Sequence, residues 1–399
     1  MGTPKYFVWD FRTIVEVGSG CRTFAPQRFM EMGAKRVALV TDKGLVKAGI
    51  ADQIKEMFEV QGEPKLVGIY DDIEQDAVMR VINDCASWCR VNAVDGLLGV
   101  GGGSVLDSVK GVKLMLGMGA TDIKELMPGN VGPYIRPLGK PLNIPNVSIP
   151  TTAGTGSEVS PIAVIYNEEQ KVKGDLLHPY IAADYALLDP DLTVGLPPHM
   201  TACTGFDALG HAVEGLTSPG SNPMIDSLSI QAIRLILKYL PVAVNEGANL
   251  EARTCMLIAS NIAIMGFAMS GMFYPVHNVA HALGGQLRIP HGQAVGVALP
   301  SVMQHYPAHF ARKAKDLAFA FGIYDDKDDL SLVAMVREKV LKLMEECHFK
   351  PYFDIIDIKF DDNLLESLFW AVKLDPSGIA YPLPEESVRP ILRECFSCK

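Results

Sequence analysis

The chain has 399 residues, 48% of them hydrophobic, and a formal net charge of −10. Single hydrophobic cores stop growing at roughly 250–300 residues, so a chain of this length is expected to form two domains. The acidic balance excludes nucleic acid as a partner, because recognition of the phosphate backbone requires a basic surface.

The N-terminal sequence and the cysteines predict the compartment. Residues 1–18 contain charges and turn residues where a secretory signal would have an apolar stretch. No run reaches the roughly 18 uncharged apolar residues of a membrane span. The eight cysteines are spread along the chain and do not suggest a small disulfide framework. We therefore expect a soluble, cytoplasmic protein with no membrane partner.

Strand-like and helix-like segments alternate in the first half of the chain. The strands are short apolar runs, and the helices carry their apolar residues on one stripe. Strands are predicted at residues 13–18, 36–42, 65–72 and 94–100, helices at 51–62 and 76–91, and further strands and turns at 146–158, 161–169 and 185–198. This alternation is typical of an α/β domain with a parallel sheet.

The pattern changes beyond residue 198. A run rich in proline at residues 189–198 predicts a domain boundary, which gives an α/β dinucleotide-binding domain over 1–195 and a helical domain over 196–399. Long amphipathic or apolar helices are predicted at residues 199–218, 223–247, 250–269, 307–323, 331–349 and 362–374. Strand signals are sparse in this half, so we expect an all-α domain.

A glycine run follows the strand predicted at residues 94–100. Gly101, Gly102 and Gly103 let the backbone approach a ligand, and the first N–H groups of the next helix attract a pyrophosphate. The match to the dinucleotide fingerprint is imperfect, because Ser104 takes its last position and no acidic residue clearly follows about 20 residues later. A plain tight turn is the alternative.

Two further features favour a nucleotide site. Asp42 ends a predicted strand, where a carboxylate can accept hydrogen bonds from ribose hydroxyls and repel a 2′-phosphate. A helix N-cap is the alternative for this residue. Thr151, Thr152 and Thr155 lie in the loop PTTAGTGSE, whose hydroxyls suit a ligand-facing loop.

One carboxylate and several histidines have the spacing of a metal site. Asp207 and His211 are one helical turn apart, His277 and His281 repeat that spacing, and His291 follows in a Pro-His-Gly turn. A single such histidine is more often a hydrogen-bonded core residue, but this many buried titratable groups would be uncompensated without an ion. The mixed N/O set suits Fe(II) or Zn(II). The other histidines are expected at the surface or at helix ends, namely His178, His199, His305, His309 and His348.

These motifs resemble those of the iron-containing alcohol dehydrogenase family. The matching stretches occur in the family's order, at residues 40–45, 101–110, 150–158, 187–193, 204–214 and 276–292. The resemblance implies an N-terminal Rossmann-like nucleotide-binding domain and a C-terminal helical metal-binding domain, the fold of the dehydroquinate synthase-like superfamily. It also implies a cleft between the domains that holds the cofactor and the metal.

The resemblance implies a role for each matching residue. Asp207, His211, His277 and His291 would be the metal ligands, and His281 would be a non-ligand beside the substrate. The glycine run and the threonine loop would bind the cofactor, with a lysine reaching it and an aspartate favouring NAD over NADP. The implied cofactor-binding residues are Asp42, Gly101, Gly102, Gly103, Ser104, Asp107, Thr151, Thr152, Thr155, Lys173 and Leu192.

The chain departs from the family's pattern beside the metal ligands. Gly210 stands where the family usually has threonine. The stretch between Phe267 and His277 is one residue longer than usual and contains Tyr274-Pro275. These changes fall where the substrate would lie, so the resemblance does not identify the alcohol.

The sequence predicts a metal-dependent, NAD-linked alcohol dehydrogenase or aldehyde reductase acting on a small primary alcohol or diol. A divalent ion, Fe(II) or alternatively Zn(II), is expected to act as a Lewis acid while hydride passes between the carbinol carbon and NAD. His281 is the candidate for relaying the proton, because imidazole titrates near neutrality. The family also implies a homo-oligomer.

Two other functions are compatible with these motifs. A dehydroquinate synthase-like lyase also combines NAD and a metal, but it uses the cofactor transiently and produces no net NADH. A non-catalytic protein that binds nucleotide or metal would show no turnover. The pairing of Asp207 and His211 with His277 and His291 favours the dehydrogenase.

Overall fold

The computed structural model describes residues 6–127, 139–271, 273–354, 358–375, 378–379 and 381–396. They form two compact units, of which one contains the described residues of 10–195 and the other contains residues 6–9 and those from 196 onward. We call them the α/β unit and the helical unit. All the strands that the structure describes lie in the first. The predicted fold class, α/β followed by all-α, is confirmed.

The α/β unit is built on a parallel sheet. Its strands are β1 (Ile14–Val17), β2 (Arg36–Val40), β3 (Lys65–Tyr70), β4 (Gly96–Gly101), β5 (Asn146–Pro150), β6 (Ile162–Asn167), β7 (Val172–Leu177) and β8 (Tyr185–Leu188). Six strands pair in the order β1-β8-β5-β4-β2-β3, and β6 and β7 form a separate antiparallel hairpin. The helices are α1 (Ala25–Glu31), α2 (Lys43–Lys47), α3 (Ile50–Gln61), α4 (Met79–Val91) and α5 (Gly103–Met118).

Helices cover both faces of the sheet. Alternate residues of a strand point to opposite faces. In β2, Val37 and Leu39 enter the core formed with α1 and α3, whereas Ala38 and Val40 enter the core formed with α4 and α5. All residues of the central strand β4 are buried. This explains why β4 reads as a continuous apolar run, as strands of doubly covered parallel sheets do.

The helical unit consists of packed helices. They are α6 (Pro198–Thr217), α7 (Pro223–Asn245), α8 (Leu250–Met269), α9 (Pro275–Leu287), α10 (His291–His305), α11 (Pro307–Ala311), α12 (Ala314–Ala320), α13 (Asp329–Glu346), α14 (Asp362–Leu374) and α15 (Glu385–Cys395). Helices α6, α7 and α8 pack closely on one another. Small residues allow this approach: a Cβ on Gly215 of α6 would lie 3.1 Å from the backbone nitrogen of Phe267 in α8.

One predicted helix is interrupted. Residues 307–323 were expected to form a single helix, but α11 ends at Ala311 and α12 begins at Ala314. The backbone of Lys313 leaves the helical region with φ −128 and ψ 26. Its Nζ lies 2.8 Å from Asp226 and 3.1 Å from Asp316. The pair with Asp226 is a tertiary contact, and it accompanies a break that the apolar periodicity does not show.

Within the part of the chain that the structure describes, two helices are long and apolar enough to cross a membrane by length and composition. The most apolar stretches of α7 and α8 each have a mean hydropathy of 1.4. Of these stretches, 39% in α7 and 61% in α8 is buried inside the protein. Core helices of soluble proteins have the same composition, so this property is weak evidence for a membrane span.

Candidate metal centre and nucleotide site

Helix α6 presents three ionisable side chains on one face. Asp207, His211 and Glu214 follow one another at intervals of about one helical turn. All three side chains are buried. A buried carboxylate needs a cation or hydrogen-bond donors to offset the loss of water, so this face requires partners from other helices.

Helices α9 and α10 bring the remaining histidines to this face. His277 lies in the first turn of α9, and His281 follows one turn later. His291 was expected in a turn, but it is the first residue of α10. The N-cap of that helix is Pro290, whose φ of −53 suits a helix start. All the metal ligands implied by the resemblance therefore stand on helices.

The distances fit a metal centre. Asp207, His211 and His277 offer ligand atoms that all lie within 4.8 Å of one another. Oδ1 of Asp207 lies 3.6 Å from Nε2 of His277 and 3.5 Å from Nε2 of His291. These separations are long for hydrogen bonds and close to the edge of about 3.4 Å that bonds of about 2.1 Å make around a tetrahedral ion. Oδ1 of Asp207 and Nε2 of His277 are buried without a hydrogen bond inside the described part of the chain.

The charges in the cluster favour a cation. Burial acts to raise the pKa of Asp207, but His211, His291 and His277 beside it hold that pKa well below its usual range. Burial lowers the pKa of His277, yet Glu214 and Asp207 outweigh it and raise that pKa to about 9. Without a metal ion, the centre thus contains an ionised Asp207 and a His277 ring that holds a second proton between Asp207 and Glu214. A metal ion would displace that proton from the nitrogen it binds.

His281 stands beside the cluster. Its ring centroid lies 6.3 Å from that of His277 and 5.5 Å from that of His291. Its Nδ1 lies 3.6 Å from Oδ2 of Asp375, a buried residue that directly follows α14. His281 thus has a carboxylate neighbour of its own.

Two carboxylates beside the histidines were missed by the sequence reasoning. Glu214 contacts Nδ1 of His277, and Asp375 faces Nδ1 of His281. A signal existed for Glu214, because it lies seven residues after Asp207 and therefore on the same helical face. No local pattern marks Asp375, which reaches its histidine only through the packing of α14 against α9.

The departures from the family pattern have physical reasons. A Cβ on Gly210 would lie 2.5 Å from Cγ1 of Val295, so helix packing leaves no room for a larger residue. The ring of Tyr274 stacks on Phe267 with centroids 3.7 Å apart, and its hydroxyl donates to the carbonyl of Phe267 at 2.9 Å. The Phe267 ring in turn lies 4.7 Å from that of His211. The lengthened stretch therefore adds an aromatic layer against the metal cluster.

His309 lies at a helix end, as expected, but not at the surface. It lies in the last turn of α11, but its side chain is buried. Its ring stacks on Phe273 at 5.1 Å, and its Nε2 lies 3.3 Å from the hydroxyl of Thr217. His178, for which a position at the surface or at a helix end was expected, is buried as well. The burial of His309 results from tertiary packing around a short helix, which the periodicity of the sequence does not predict.

In the α/β unit, the topology brings the predicted nucleotide motifs together. The chain passes from β2 to β3 on one side and returns to β4 on the other side of β2. Ligands of open α/β sheets bind beyond the carboxyl ends of the strands at such a reversal. Asp42 follows β2, and Gly101 to Gly103 follow or end β4. The N–H of Thr151, which follows the neighbouring strand β5, donates to the carbonyl of Gly101 at 3.0 Å.

The glycine run packs tightly against the threonine loop. A Cβ on Gly103 would lie 2.6 Å from Cγ2 of Thr155, and one on Gly102 would lie 3.4 Å from Thr152. Glycine at 103 is therefore required by the close approach of the two loops. Helix α5 begins at Gly103, and Gly102 at its N-cap offers no side chain to the first N–H groups. Such a helix start can receive an anion.

Lys173 and Ser104 are joined through Asp76. Nζ of Lys173 lies 2.8 Å from Oδ1 of Asp76, and both residues are buried. The N–H of Asp76 donates to Oγ of Ser104 at 2.9 Å. Asp76 has a φ of 73, a left-handed conformation that aspartate adopts more readily than most residues. One residue thus positions two side chains of the predicted nucleotide site.

Three predicted cofactor residues make contacts within the protein. Oδ1 of Asp42 accepts from the N–H of Leu45 at 3.0 Å, so the N-cap alternative is observed. Asp107 accepts from the hydroxyl of Ser157 at 2.6 Å and links α5 to the threonine loop. Leu192 lies in the hydrophobic core of the α/β unit. A cap still leaves the second oxygen of Asp42 available to a ribose.

Comparisons with known proteins identify the family. Residues 13–190 match the model of the iron-containing alcohol dehydrogenases, and residues 201–366 match the C-terminal model of the Fe-containing alcohol dehydrogenase family. The chain is 32% identical to a choline dehydrogenase of Bacillus subtilis (strain 168), over 98% of this chain and 96% of that protein. It is 33% identical to an NAD-dependent methanol dehydrogenase of Bacillus methanolicus, over 72% of each.

A solved structure agrees with these matches. The fold is similar to the crystal structure of a 1,3-propanediol oxidoreductase, with a TM-score of 0.86 and 31% identity. The match covers 98% of this chain and all of that one. The chain therefore belongs to the iron-containing alcohol dehydrogenase family, as the sequence motifs predicted.

Proposed function

We propose that this protein is a metal-dependent alcohol dehydrogenase or aldehyde reductase that transfers hydride between a small alcohol and NAD. The observation that carries the proposal is the buried cluster of Asp207, His211 and His277, whose ligand atoms lie within 4.8 Å of one another. His291 adds a fourth ligand atom 3.5 Å from Asp207. Membership of the iron-containing alcohol dehydrogenase family indicates that this cluster binds the metal ion used in alcohol oxidation.

The ligand set supports a divalent ion. Asp207, His211, His277 and His291 would hold it through one oxygen and three nitrogens. An ion bound there supplies Lewis acidity toward the alcohol oxygen. We propose Fe(II) because of the family, and Zn(II) as the alternative because it accepts the same donors.

His281 is proposed as the residue that moves the proton. It lies beside the proposed ligands and is not one of the three residues, Asp207, His211 and His277, whose ligand atoms lie within 4.8 Å of one another. Its Nδ1 faces the carboxylate of Asp375 at 3.6 Å, so Nε2 is the nitrogen that can exchange a proton with the substrate. Asp375 would orient the imidazole for this exchange.

NAD is proposed as the cofactor of the α/β unit. The start of α5 and its glycine run would bind the pyrophosphate, with Ser104, the threonine loop and Lys173 along the cofactor. Asp42, which follows β2, would accept hydrogen bonds from the ribose hydroxyls and disfavour NADP. Asp107 and Leu192 would support the site indirectly. Asp107 accepts a hydrogen bond from Ser157, and Leu192 packs in the hydrophobic core. We accordingly propose residues 1–195 as the nucleotide-binding domain and 196–399 as the metal-binding domain.

The substrate is proposed to be a small primary alcohol or diol, or the corresponding aldehyde. Three of the similar proteins are named for choline, methanol and 1,3-propanediol, which are small alcohols with an unhindered hydroxyl. We also propose a cytoplasmic location for the enzyme.

A homo-oligomer is proposed from the edge of the sheet. Strand β1 pairs only with β8 among the strands described, so its other edge is open. Ile14, Val15 and Val17 in this strand are 53%, 36% and 44% exposed. Open apolar edges favour association with another chain, and a second copy is the simplest symmetric partner. Sedimentation of the wild type beside Val15→Lys tests this, since the charge should shift the protein toward monomer.

The activity is tested by NADH formation. Purified protein loaded anaerobically with Fe(II) or Zn(II) is expected to reduce NAD in the presence of choline, methanol, 1,3-propanediol or related alcohols. A dehydroquinate synthase-like lyase would bind NAD without net NADH production, and a non-catalytic protein would show no turnover. Absence of NADH across the panel, with metal and NAD shown to be bound, would refute the proposal.

A further inference from the structure

Glu214 is a fully buried carboxylate beside the metal cluster. It lies on α6, close to His211, and is not among the ligand residues. Its Oε1 accepts from the backbone N–H of Val276 at 2.6 Å and from that of His277 at 3.4 Å. Its Oε2 contacts Nδ1 of the His277 ring. One carboxylate thus contacts both the backbone and the ring of a proposed ligand.

The backbone contacts fasten two helices together. The first N–H groups of a helix need acceptors, and a carboxylate at this end is also stabilised by the helix dipole. Helix α9 begins at Pro275, which has no N–H, and its N-cap residue Tyr274 makes no side-chain cap bond. Glu214 supplies the acceptor from α6 instead. The helix that carries Asp207 is therefore tied directly to the helix that carries His277.

The ring contact selects one tautomer. A histidine ligand is neutral and keeps its proton on only one nitrogen. An ionised carboxylate can only accept a hydrogen bond, so the nitrogen facing Glu214, Nδ1, carries the proton. Nε2 then presents its lone pair on the side of Asp207, whose Oδ1 lies 3.6 Å away. This is the nitrogen that the proposed centre needs.

We propose that Glu214 is a positioning residue of the metal centre. It fixes His277 in the tautomer whose Nε2 binds the ion, and it holds the start of α9 against α6 so that both helices present their ligands together. This inference rests on the proposed function, which places a divalent ion among Asp207, His211, His277 and His291.

The substitution Glu214→Gln separates the tautomer role from the cap. The amide has nearly the same shape, and its oxygen still accepts from the N–H of Val276. Its NH2 group donates to Nδ1 of His277 and moves the ring proton to Nε2, where it blocks the ion. The full-length variant is expected to bind Zn(II) about 10–100-fold more weakly in competition with a chromophoric chelator. The thermal midpoint of its metal-free form should fall, because the amide removes the charge beside His277, so a control variant must separate the loss of stability from the loss of affinity.

Thr217→Val is the matched control. Thr217 is also buried on α6, and its hydroxyl donates to the carbonyl of Val213 at 2.8 Å. This variant should lower the thermal midpoint of the metal-free protein and leave the Zn(II) affinity unchanged. A purely structural role for Glu214 would instead make affinity fall in step with the midpoint in both variants.

The outcomes distinguish the two proposals. Wild-type affinity in Glu214→Gln overturns the positioning role and leaves the metal centre intact. An equal loss of affinity in Thr217→Val overturns it as well. A wild-type protein that binds neither Zn(II) nor Fe(II) overturns the proposed function and the positioning role together.

Discussion

Oδ1 of Asp207 lies 3.6 Å from Nε2 of His277, and both atoms are buried without a hydrogen bond within the described residues. Two polar atoms at this distance are not bonded to each other, yet leaving them unsatisfied is costly. An ion between them resolves both observations. The pair is therefore the structural reason for placing a metal in the helical unit.

Asp207→Ala is expected to abolish metal binding. It removes the carboxylate that lies within 3.6 Å of two histidine nitrogens. The loss of affinity should exceed the 10–100-fold or so that removing an outer partner of a ligand costs. Metal content after dialysis against a weak chelator measures this. Asp207 is not a metal ligand if the variant retains a full equivalent of metal.

His281→Ala is expected to lower turnover by about 100- to 10,000-fold, the usual range for a proton-transferring group. Metal content should stay at the wild-type level, because His281 faces Asp375 and is placed outside the ligand set. Turnover and metal content measured on the same preparation check both points. Loss of the metal would make His281 a ligand, and unchanged turnover would exclude it from the chemistry.

Substitution of Asp42 should relax the preference for NAD over NADP. Asp42→Ala also removes the N-cap bond to Leu45, which would cost about 1 kcal/mol of stability. Asp42→Ser keeps a capping hydroxyl and is the better test. The ratio of kcat/KM for NAD to that for NADP should fall at least about tenfold, because a hydrogen bond to a charged group contributes about that factor to binding. An unchanged ratio would remove Asp42 from the cofactor site.

His309 should make stability depend on pH. Burial, with Arg312 nearby, lowers its pKa from 6.5 to about 3. Above 6.5 the imidazole is neutral in both the folded and unfolded chain, so it contributes no pH dependence. Below 6.5 only the unfolded chain binds the proton, so the free energy of unfolding should fall by up to about 1.4 kcal/mol per pH unit until the folded pKa is reached.

The variant His309→Phe tests this origin of the pH dependence. Phenylalanine can keep the stacking on Phe273 but cannot titrate. The free energy of unfolding is measured with denaturant for the wild type and the variant from about pH 7 to about pH 5. It should fall less steeply with decreasing pH in the variant. Equal slopes would mean that other groups cause the acid sensitivity.

Local sequence patterns predicted much of the architecture. The apolar run at residues 94–100 predicted a strand, and β4 forms there with all of its residues buried. The helical spacing of Asp207 and His211 predicted that both project from one face, and their ligand atoms lie in one cluster. Periodicity reports these features because each depends on residues within one element.

Long-range packing accounts for what the patterns did not predict. Asp375 reaches His281, and Asp76 reaches Lys173, through contacts between elements far apart in the chain. His309, expected at the surface or at a helix end, lies in the last turn of α11 and is buried through long-range packing of the same kind. Hydrophobic periods describe which face of an element is buried, but not which polar side chain meets which partner.

Reconstitution of the metal-free enzyme shows whether turnover requires the bound ion. Protein stripped of metal should form no NADH from choline, methanol or 1,3-propanediol, and anaerobic addition of Fe(II) should restore turnover in proportion to the metal bound, up to one ion per chain. The Asp207→Ala variant should not respond. Equal turnover with and without bound metal, or full activity in Asp207→Ala, would contradict a metal-dependent alcohol dehydrogenase centred on Asp207, His211, His277 and His291.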